Sequence, residues 1–251
     1  MPHEISILLL HGDAEARLLA DGEAVVQAVL PGREVKWTSA WATRPDWLDP
    51  HSPAPPESFR RNGILADVDV RELLAQPYSL VIFPLLPCAA TPSLRHRDGG
   101  RFLAHRGLRA GWTPRMTALV EAECTEEPSL SPSDAAVALE PLIERLQARG
   151  SSVAVCTAFR HVTEPLHHRS SEGTVSLREA VRRTNLEALR LSRRTGCFVF
   201  DIDRPLAQEG GDAVQADCFG GGGRAAELAL DELAALIMDA VPDVVDHLEN
   251  A

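Results

Sequence analysis

The stretch ISILLLHGDA at residues 5–14 decides the fold class of this chain. Five of its first six residues are aliphatic, and the apolar run ends abruptly at a histidine, a glycine and an aspartate. A run of this length and composition is typical of a strand that is buried on both faces of a parallel sheet. The sequence therefore predicts a buried strand at residues 5–10 that leads directly into a loop.

Further apolar runs alternate with helical segments along the rest of the chain. The predicted strands are residues 35–39, 79–83, 152–156 and 197–202, and the predicted helices are residues 16–30, 68–75, 133–149, 177–194 and 224–240. Such alternation favours a parallel sheet with helices on both faces. Because these sheets bind ligands beyond the carboxyl ends of their strands, we expect the functional residues in the loops that follow the strands.

Three segments between these elements are predicted to be irregular. They are a proline-rich stretch at residues 43–62, an arginine- and glycine-rich loop or lid at residues 91–113, and a loop with histidine and arginine at residues 161–174. Loops of this length inside a compact domain are often functional, although a surface insertion without function is the alternative.

The composition excludes two classes of partner. The 251 residues include 25 basic and 36 acidic side chains, and the resulting net charge of −11 disfavours general binding to nucleic acid or to anionic membranes. We find no apolar segment long enough to cross a bilayer and no charged-then-apolar leader. We therefore expect a soluble, cytoplasmic protein.

The cysteines predict neither a disulfide framework nor a zinc site. They are odd in number, widely separated and without a Cys-x-x-Cys pair: Cys88, Cys124, Cys156, Cys197 and Cys218. Cys156 and Cys197 lie in apolar runs and are predicted core residues. Cys88 and Cys218 follow such runs, so they are candidates for lining a pocket. We expect no metal ion and no cofactor.

The order of these elements resembles the SGNH/GDSL hydrolase family over nearly the whole chain. Residues 8–14 are similar to the family's first strand and its Gly-Asp-Ser turn, and residues 79–83 resemble the strand before its Gly-x-Asn-Asp block. Residues 183–186, 199–202 and 216–218 follow its C-terminal course. The resemblance implies a single three-layer α/β/α domain over residues 1–251, of the flavodoxin-like type, with a five-stranded parallel sheet of order 2-1-3-4-5.

The same resemblance implies that the active site is degenerate. The family's nucleophile serine falls on Ala14, its Gly-x-Asn-Asp block on residues 85–88, and its catalytic histidine on Gly220, whereas Asp217 is retained. A serine hydrolase needs a nucleophile, a base and donors that face the developing oxyanion. We therefore predict that short activated esters are not hydrolysed.

The remaining candidates for catalysis are Asp13, His11 and Asp217. A carboxylate or imidazole beyond the end of a strand can act as a base if its surroundings adjust its pKa. The alternative for both aspartates is a helix cap, and for the histidine a packed or solvated side chain.

The candidates for substrate binding are mainly cations that follow the predicted strands. They are Arg95, Arg97, Arg101, Arg160 and Arg224, together with Cys88 and Cys218. Arginine binds carboxylate, sulfate and phosphate groups, and a glycine-led helix start such as residues 220–224 can hold an anion. This pattern predicts a pocket for an anionic small molecule. The alternative is a solvated surface whose arginines pair with acidic residues.

Three functions remain open at this stage. The first is an atypical or non-hydrolytic SGNH-like enzyme of secondary metabolism, such as a biosynthetic cyclase, lyase or transferase that acts on an anionic substrate. The second is a pseudoenzyme that binds an SGNH-like catalytic subunit or forms a homo-oligomer. The third is an esterase with relocated residues, for which Ser6, Ser39 and the histidines of the long loops are candidates.

Overall fold

The computed structural model describes residues 4–42, 44–45, 48, 53, 56–65, 70–90, 93–103, 109–158, 167–170, 173–209 and 223–241. The strands in this part of the chain are β1 (Ile5–His11), β2 (Val35–Trp41), β3 (Leu80–Pro84), β4 (Ser93–His96), β5 (Arg101–Leu103), β6 (Cys124–Glu127), β7 (Ser152–Cys156), β8 (His167–Ser170), β9 (Gly173–Ser176) and β10 (Phe198–Phe200).

The helices of the same residues are α1 (Asp13–Leu18), α2 (Gly22–Val29), α3 (Glu57–Arg61), α4 (Val70–Ala75), α5 (Leu85–Ala90), α6 (Pro114–Glu123), α7 (Pro132–Gln147), α8 (Leu177–Thr195), α9 (Asp203–Glu209) and α10 (Arg224–Ala240). No helix of the described residues combines the length and the apolar composition that a bilayer span requires.

Five strands form a parallel sheet in the order β2-β1-β3-β7-β10. All neighbouring pairs in it are parallel. The predicted fold class and strand order are therefore confirmed. The apolar run of β1 is continuous because the strand has a core on each face. Ile7 and Leu9 belong to the core under α1, α2 and α10, whereas Leu8 and Leu10 belong to the core under α4, α5, α7 and α8.

The segment predicted as a loop or lid at residues 91–113 contains two strands. β4 pairs antiparallel with both β5 and β6 and forms a three-stranded sheet. Leu94, Phe102 and Phe59 are buried in a third, smaller core. We call α3, β4, β5, β6 and α6 the lobe. The strand signal was missed because arginine, histidine and glycine outnumber the two apolar residues that the hairpin buries.

Other predictions of secondary structure were also inexact. The helix expected at residues 16–30 is two helices, and a Cβ at Gly22 would lie only 2.9 Å from the Trp37 ring, so α2 begins where a glycine permits close packing. α5, which was not predicted, follows β3 and contains Pro87 in its first turn, where a residue needs no intrahelical N–H bond. β8 and β9 form a hairpin within residues 167–176.

Candidate active site

The carboxyl ends of four neighbouring strands lie at one edge of the parallel sheet. Pro84 of β3 is in register with Cys156 of β7, which is in register with Phe200 of β10. Gly12 directly follows β1 at the same edge. The chain segments just beyond these four ends therefore make up the region where α/β sheets bind ligands. We call this region the carboxyl edge.

A buried carboxylate stands at the start of α1. Glu15 is only 5% exposed, and its Oε2 accepts the backbone N–H of Gly12 at 3.0 Å. Pro87 packs against the same turn, because a Cβ on Gly12 would lie 2.9 Å from its Cγ. The space above β1 thus holds a negative charge and a proline ring. Ala14, which the resemblance puts at the nucleophile position, lies in the first turn of α1.

Two thiols at the carboxyl edge are held protonated. Burial, and secondarily the negative charge of Glu15, raise the pKa of the Cys88 thiol far above its ordinary value. Burial likewise raises the pKa of Cys156, to which Glu15 and then Asp201 add. The Cys156 thiol also donates to the carbonyl of Thr157 at 3.3 Å. Neither thiol is suited to nucleophilic attack, because the thiolate is the reactive form.

A hydrogen-bonded network follows β7 and β10. Thr157 Oγ1 donates to Asp201 Oδ1 at 2.9 Å and accepts the backbone N–H of Asp203 at 3.2 Å. Asn185 of α8 accepts from Ala158 N at 2.8 Å, and its Nδ2 lies 2.7 Å from the Ala158 carbonyl and 3.2 Å from Asp203 Oδ2. Neutral donors therefore hold two carboxylates in fixed positions.

The sequence analysis did not select the residues of this network, or Glu15, as site residues. The Gly12-x-x-Glu15 spacing resembles a capping box, in which a glutamate three residues into a helix binds the preceding backbone N–H. Asn185 and Asp201 lie within stretches used for the family resemblance. The sequence therefore pointed to the segments that contain Asn185 and Asp201, but only the structure shows the hydrogen bonds that these side chains make.

Of the predicted catalytic residues, His11 and Asp13 lie at the carboxyl edge. The His11 ring lies 5.4 Å from the Trp41 ring, centroid to centroid, and its Nδ1 is 3.2 Å from the Gly12 carbonyl. Asp13 is the first residue of α1, where a negative charge is favourable to the helix dipole. Asp217, Cys218 and Arg160 lie outside the described residues.

The predicted arginines of the lobe are largely engaged in ion pairs. Arg97 lies 3.3 Å from Glu123, and Arg101 Nε donates to Glu127 Oε1 at 3.2 Å. Arg95 is exposed and lies opposite Arg101 on the neighbouring strand. Arg224 begins α10 and pairs with Glu227 at 3.1 Å.

Arg44, which the sequence analysis did not select, joins the lobe to the end of β2. Its side chain is 8% exposed and Nη1 donates to the Pro128 carbonyl at 2.8 Å, 3.8 Å from Glu127 Oε2. A glutamate on β6 therefore lies between two arginines, Arg44 and Arg101. Within the described residues no group of three or more histidine, cysteine or acidic side chains is arranged to hold a metal ion.

Comparison with known proteins identifies the fold. No protein-family model matches the chain, and no curated protein matches it. A candidate SGNH hydrolase from Slackia heliotrinireducens is similar in structure, with a TM-score of 0.52 and 15% identity over 93% of this chain and 98% of that one. An acetyl xylan esterase, AlAXEase, has a TM-score of 0.48 at 10% identity and covers 93% of this chain and 100% of its own.

The esterase EstA of Pseudoalteromonas sp. is also similar, with a TM-score of 0.42 and 14% identity over 98% of this chain and 99% of its own. The first of these similarities covers nearly the whole of both chains, in line with the five-stranded parallel sheet described above. The chain therefore has the fold of the SGNH/GDSL hydrolases.

Proposed function

We propose that this chain is an atypical, non-hydrolytic SGNH-like enzyme that acts on a small anionic molecule in cytoplasmic secondary metabolism. The reaction class is proton transfer, elimination or an intramolecular displacement such as a cyclisation. The observation that carries the proposal is the buried carboxylate of Glu15 at the end of β1, bound to the N–H of Gly12.

Acyl transfer is disfavoured at this position on electrostatic grounds. A tetrahedral intermediate develops negative charge on its oxygen and needs hydrogen-bond donors aimed at that oxygen. Here the N–H of Gly12 is already used, and the group that uses it is negatively charged. In a region of low dielectric constant this charge destabilises an oxyanion, so a serine at position 14 alone would not restore hydrolysis.

The groups at the carboxyl edge suit acid–base chemistry instead. We assign the base to Asp13, His11 or Asp217, all of which follow predicted strands, and we give Glu15 the role of holding the turn that presents Asp13. Asp201 and Asp203 are held in place by the hydroxyl of Thr157 and the amide of Asn185. A carboxylate of this kind can accept a proton from a bound substrate.

An anionic substrate requires cations beyond those already paired. Arg97, Arg101 and Arg224 are engaged with Glu123, Glu127 and Glu227, so we assign substrate binding to Arg95 and Arg160. A guanidinium binds a carboxylate or a phosphate through two parallel hydrogen bonds.

Ester hydrolysis tests the chemical part of this proposal. We expect wild type, Ala14→Ser and the double variant A14S/E15Q to hydrolyse p-nitrophenyl acetate at the rate of the buffer. A matched Ala122→Ser variant, on an exposed position of α6, controls for an added hydroxyl. If purified wild type hydrolysed the ester and the substitution of one serine removed that activity, the proposal would be contradicted. That result would favour an esterase with relocated residues.

Thermal denaturation tests the anion. Sulfate should raise the Tm of wild type along a saturating curve, with about 2.7 kcal/mol of stabilisation at a hundredfold excess over Kd. R95A/R160A should lose the saturating part, whereas R61A/R115A, two arginines exposed in the lobe, should keep it. Equal responses of all three proteins at matched ionic strength would contradict an anionic substrate.

A second candidate is a catalytically silent subunit that binds a related catalytic chain. The close packing of Pro87 on Gly12 and the two buried thiols favour it, because they fill part of the space above the sheet. Saturable sulfate binding that depends on Arg95 and Arg160 would favour the enzyme over the silent subunit.

A further inference from the structure

Three of the four large apolar side chains that are exposed among the described residues lie on one helix pair. Val137 of α7 is 63% exposed, and Leu186 and Leu189 of α8 are 47% and 49% exposed. The two helices pack side by side on the same face of the sheet, where Leu139 and Leu191 share one core. The opposite side of the pair faces outward.

A groove opens on the outward side between the first turn of α7 and the middle of α8. It has a volume of about 280 Å³ and is lined by Pro132, Ser133, Arg183, Leu186, Glu187 and Arg190. Val137 lies on the side of α7 that is next to α8, because residues three or four apart share one face of a helix. It is four residues after Ser133, which lines the groove, and three before Glu140, which pairs with Arg194 of α8 at 2.9 Å. We call this feature the α7/α8 groove.

The charge around the groove is opposite to that of the protein as a whole. α8 contains six arginines and two glutamates, and α7 contains one arginine and three acidic residues, so the helix pair has a net charge of +2 in a chain of net charge −11. Arg182, Leu186, Leu189 and Arg193 recur at helical spacing and are all exposed, so they form one stripe. Arg183, Arg190 and Arg194 pair with glutamates, whereas within the described residues Arg182 and Arg193 have no such pair.

We propose that the α7/α8 groove binds an acidic amphipathic helix of a partner protein. Two apolar side chains of that helix, three or four residues apart, would cover Leu186, Leu189 and Val137, and flanking carboxylates would pair with Arg182 and Arg193. A groove between two helices accepts such a ligand by its i, i+3, i+4 and i+7 positions. Charge complementarity would accelerate association and select the partner.

Other occupants fit the charges less well. A second copy that uses the same face would bring arginines against arginines. A second copy could instead use its acidic α10, which belongs to the core on the opposite face of the sheet. The two contacting surfaces would then differ, and such head-to-tail contacts would build an open-ended chain of copies rather than a closed dimer. An anionic membrane is disfavoured by the net charge of −11 and by the small apolar area of two half-exposed leucines.

Fluorescence anisotropy with a labelled synthetic peptide tests this proposal. The probe is a helical 18-residue peptide with two leucines three residues apart and glutamates on either side, and the matched peptide has lysine in place of each glutamate. We expect the full-length protein to bind the acidic peptide at least about tenfold more tightly than the lysine peptide. Affinity should fall by a similar factor between about 50 and 300 mM NaCl, since salt screens exposed charges.

Two variants separate charge from apolar contact. R182E/R193E and L186Q/L189Q should each weaken binding by at least about tenfold, whereas R61E/R115E, which reverses two exposed arginines of the lobe, should stay within about twofold of wild type. Far-UV circular dichroism and Tm establish that each variant is folded. Equal binding of both peptides, or unchanged binding by R182E/R193E, overturns the proposal.

Two further outcomes would replace the proposed occupant. Stronger binding to vesicles of phosphatidylcholine and phosphatidylserine than to the acidic peptide would assign the stripe to a membrane. Sedimentation equilibrium that shows self-association of wild type but not of R182E/R193E would assign the groove to a second copy. Either result overturns a partner helix as the ligand.

Discussion

The carboxyl edge and the lobe both contain buried or half-buried carboxylates, but they stabilise them differently. At the carboxyl edge Glu15 accepts a backbone N–H, and Asp203 is bound by the amide of Asn185. In the lobe Glu123 lies 3.0 Å from Nε2 of His96 and 3.3 Å from Arg97, and Glu127 pairs with Arg101. Neutral donors satisfy one set of acids, and cationic or titratable side chains satisfy the other.

This difference gives the two regions different electrostatic properties. A carboxylate that is held by neutral donors keeps its full charge, and burial makes that charge felt by its neighbours, as the raised pKa values of Cys88 and Cys156 indicate. A carboxylate paired with arginine loses most of its field. The lobe therefore binds its acids with cationic or titratable side chains, whereas the hydrogen bonds described for Glu15 and Asp203 come from a backbone N–H and a side-chain amide.

The largest expected effect tests whether packing or ion pairs hold the lobe together. Phe59 is fully buried and contacts the Phe102 and His96 rings at centroid distances of 5.6 and 5.2 Å. We expect Phe59→Ala to lower the free energy of unfolding by about 3–5 kcal/mol, because it removes a whole buried ring. Urea denaturation followed by circular dichroism measures the loss.

Val137→Ala, at an exposed position, is the control for Phe59→Ala and should change stability by less than about 0.5 kcal/mol. Hydrogen exchange of the lobe and of the parallel sheet in the same variant tests the predicted single domain. Loss of protection in both regions together would support one cooperative unit over residues 1–251. Loss confined to the lobe would make it a second unit and contradict the single-domain prediction.

The next effect tests the neutral network of the carboxyl edge. Asn185→Ala removes the partner of the backbone N–H and carbonyl of Ala158, and one donor to Asp203. Unsatisfied buried polar groups cost about 1–3 kcal/mol each, so we expect a loss of about 2–3 kcal/mol in urea denaturation. Asn62→Ala removes one exposed bond to the Ser58 carbonyl and should cost less than about 0.5 kcal/mol. Similar losses in both variants would mean that the network of Asn185 contributes no more to the free energy of unfolding than one exposed hydrogen bond.

The sequence predicted the parallel sheet well because its strands are marked by burial on both faces. Residues 5–10, 79–83 and 152–156 are apolar except for one serine each, and each segment lies within one residue of an observed strand at both ends. The lobe was not predicted, since its strands expose one face and their polar residues match a loop. Long-range pairing of residue 94 with residue 126 leaves no local signal.

The candidate site was predicted less well than the sheet. His11 and Asp13 were selected because they follow a predicted strand. Their catalytic roles stay predictions. The burial of Glu15 depends on Pro87, which is far away in sequence, and the network of Asn185 depends on three separate segments. Contacts of this kind arise only when the strands are aligned, so they leave no pattern in a single sequence.

A smaller effect tests the claim that the lobe neutralises its acids. Glu127→Gln leaves the arginines Arg44 and Arg101 without their shared counter-charge, and Arg44 is nearly buried. We expect a loss of about 1–2 kcal/mol, below the value for a fully buried pair because Glu127 keeps some exposure. Sodium sulfate should recover part of the loss in the variant and little in wild type. A variant as stable as wild type at low salt would contradict the claim.

The smallest effect compares one thiol from each region. Burial, then Glu123, raises the pKa of Cys124 in the lobe to about 11, and burial, then Glu15, raises the pKa of Cys88 at the carboxyl edge still further. Iodoacetamide should therefore label Cys124 in the native protein, at a rate that rises about tenfold per pH unit toward pH 11, because the thiolate is the reactive form. Cys88 should be labelled only when the protein opens.

Removal of one glutamate charge should change only the neighbouring thiol. Glu15→Gln keeps an acceptor for the Gly12 N–H, removes a negative charge and so lowers the pKa of Cys88, whereas Glu123→Gln lowers the pKa of Cys124. A lower pKa means more thiolate at a fixed pH, so we expect Glu123→Gln to speed the labelling of Cys124 about twofold to fivefold, since burial remains the larger cause. Cys88 reacts only in the opened protein, where the native charge of Glu15 no longer acts on it, so its labelling rate should not follow its native pKa.

Peptide mass spectrometry resolves each cysteine separately in this experiment. The raised pKa values also predict that the stability they contribute is complete below pH 9 and is lost as the pH rises above it, because the unfolded thiols then ionise first. Labelling of Cys124 that does not respond to Glu123→Gln would mean that a neighbouring carboxylate exerts no measurable field on a thiol of this protein. Destabilisation of an oxyanion by the buried charge of Glu15 at the carboxyl edge would then lack its closest experimental parallel in this chain.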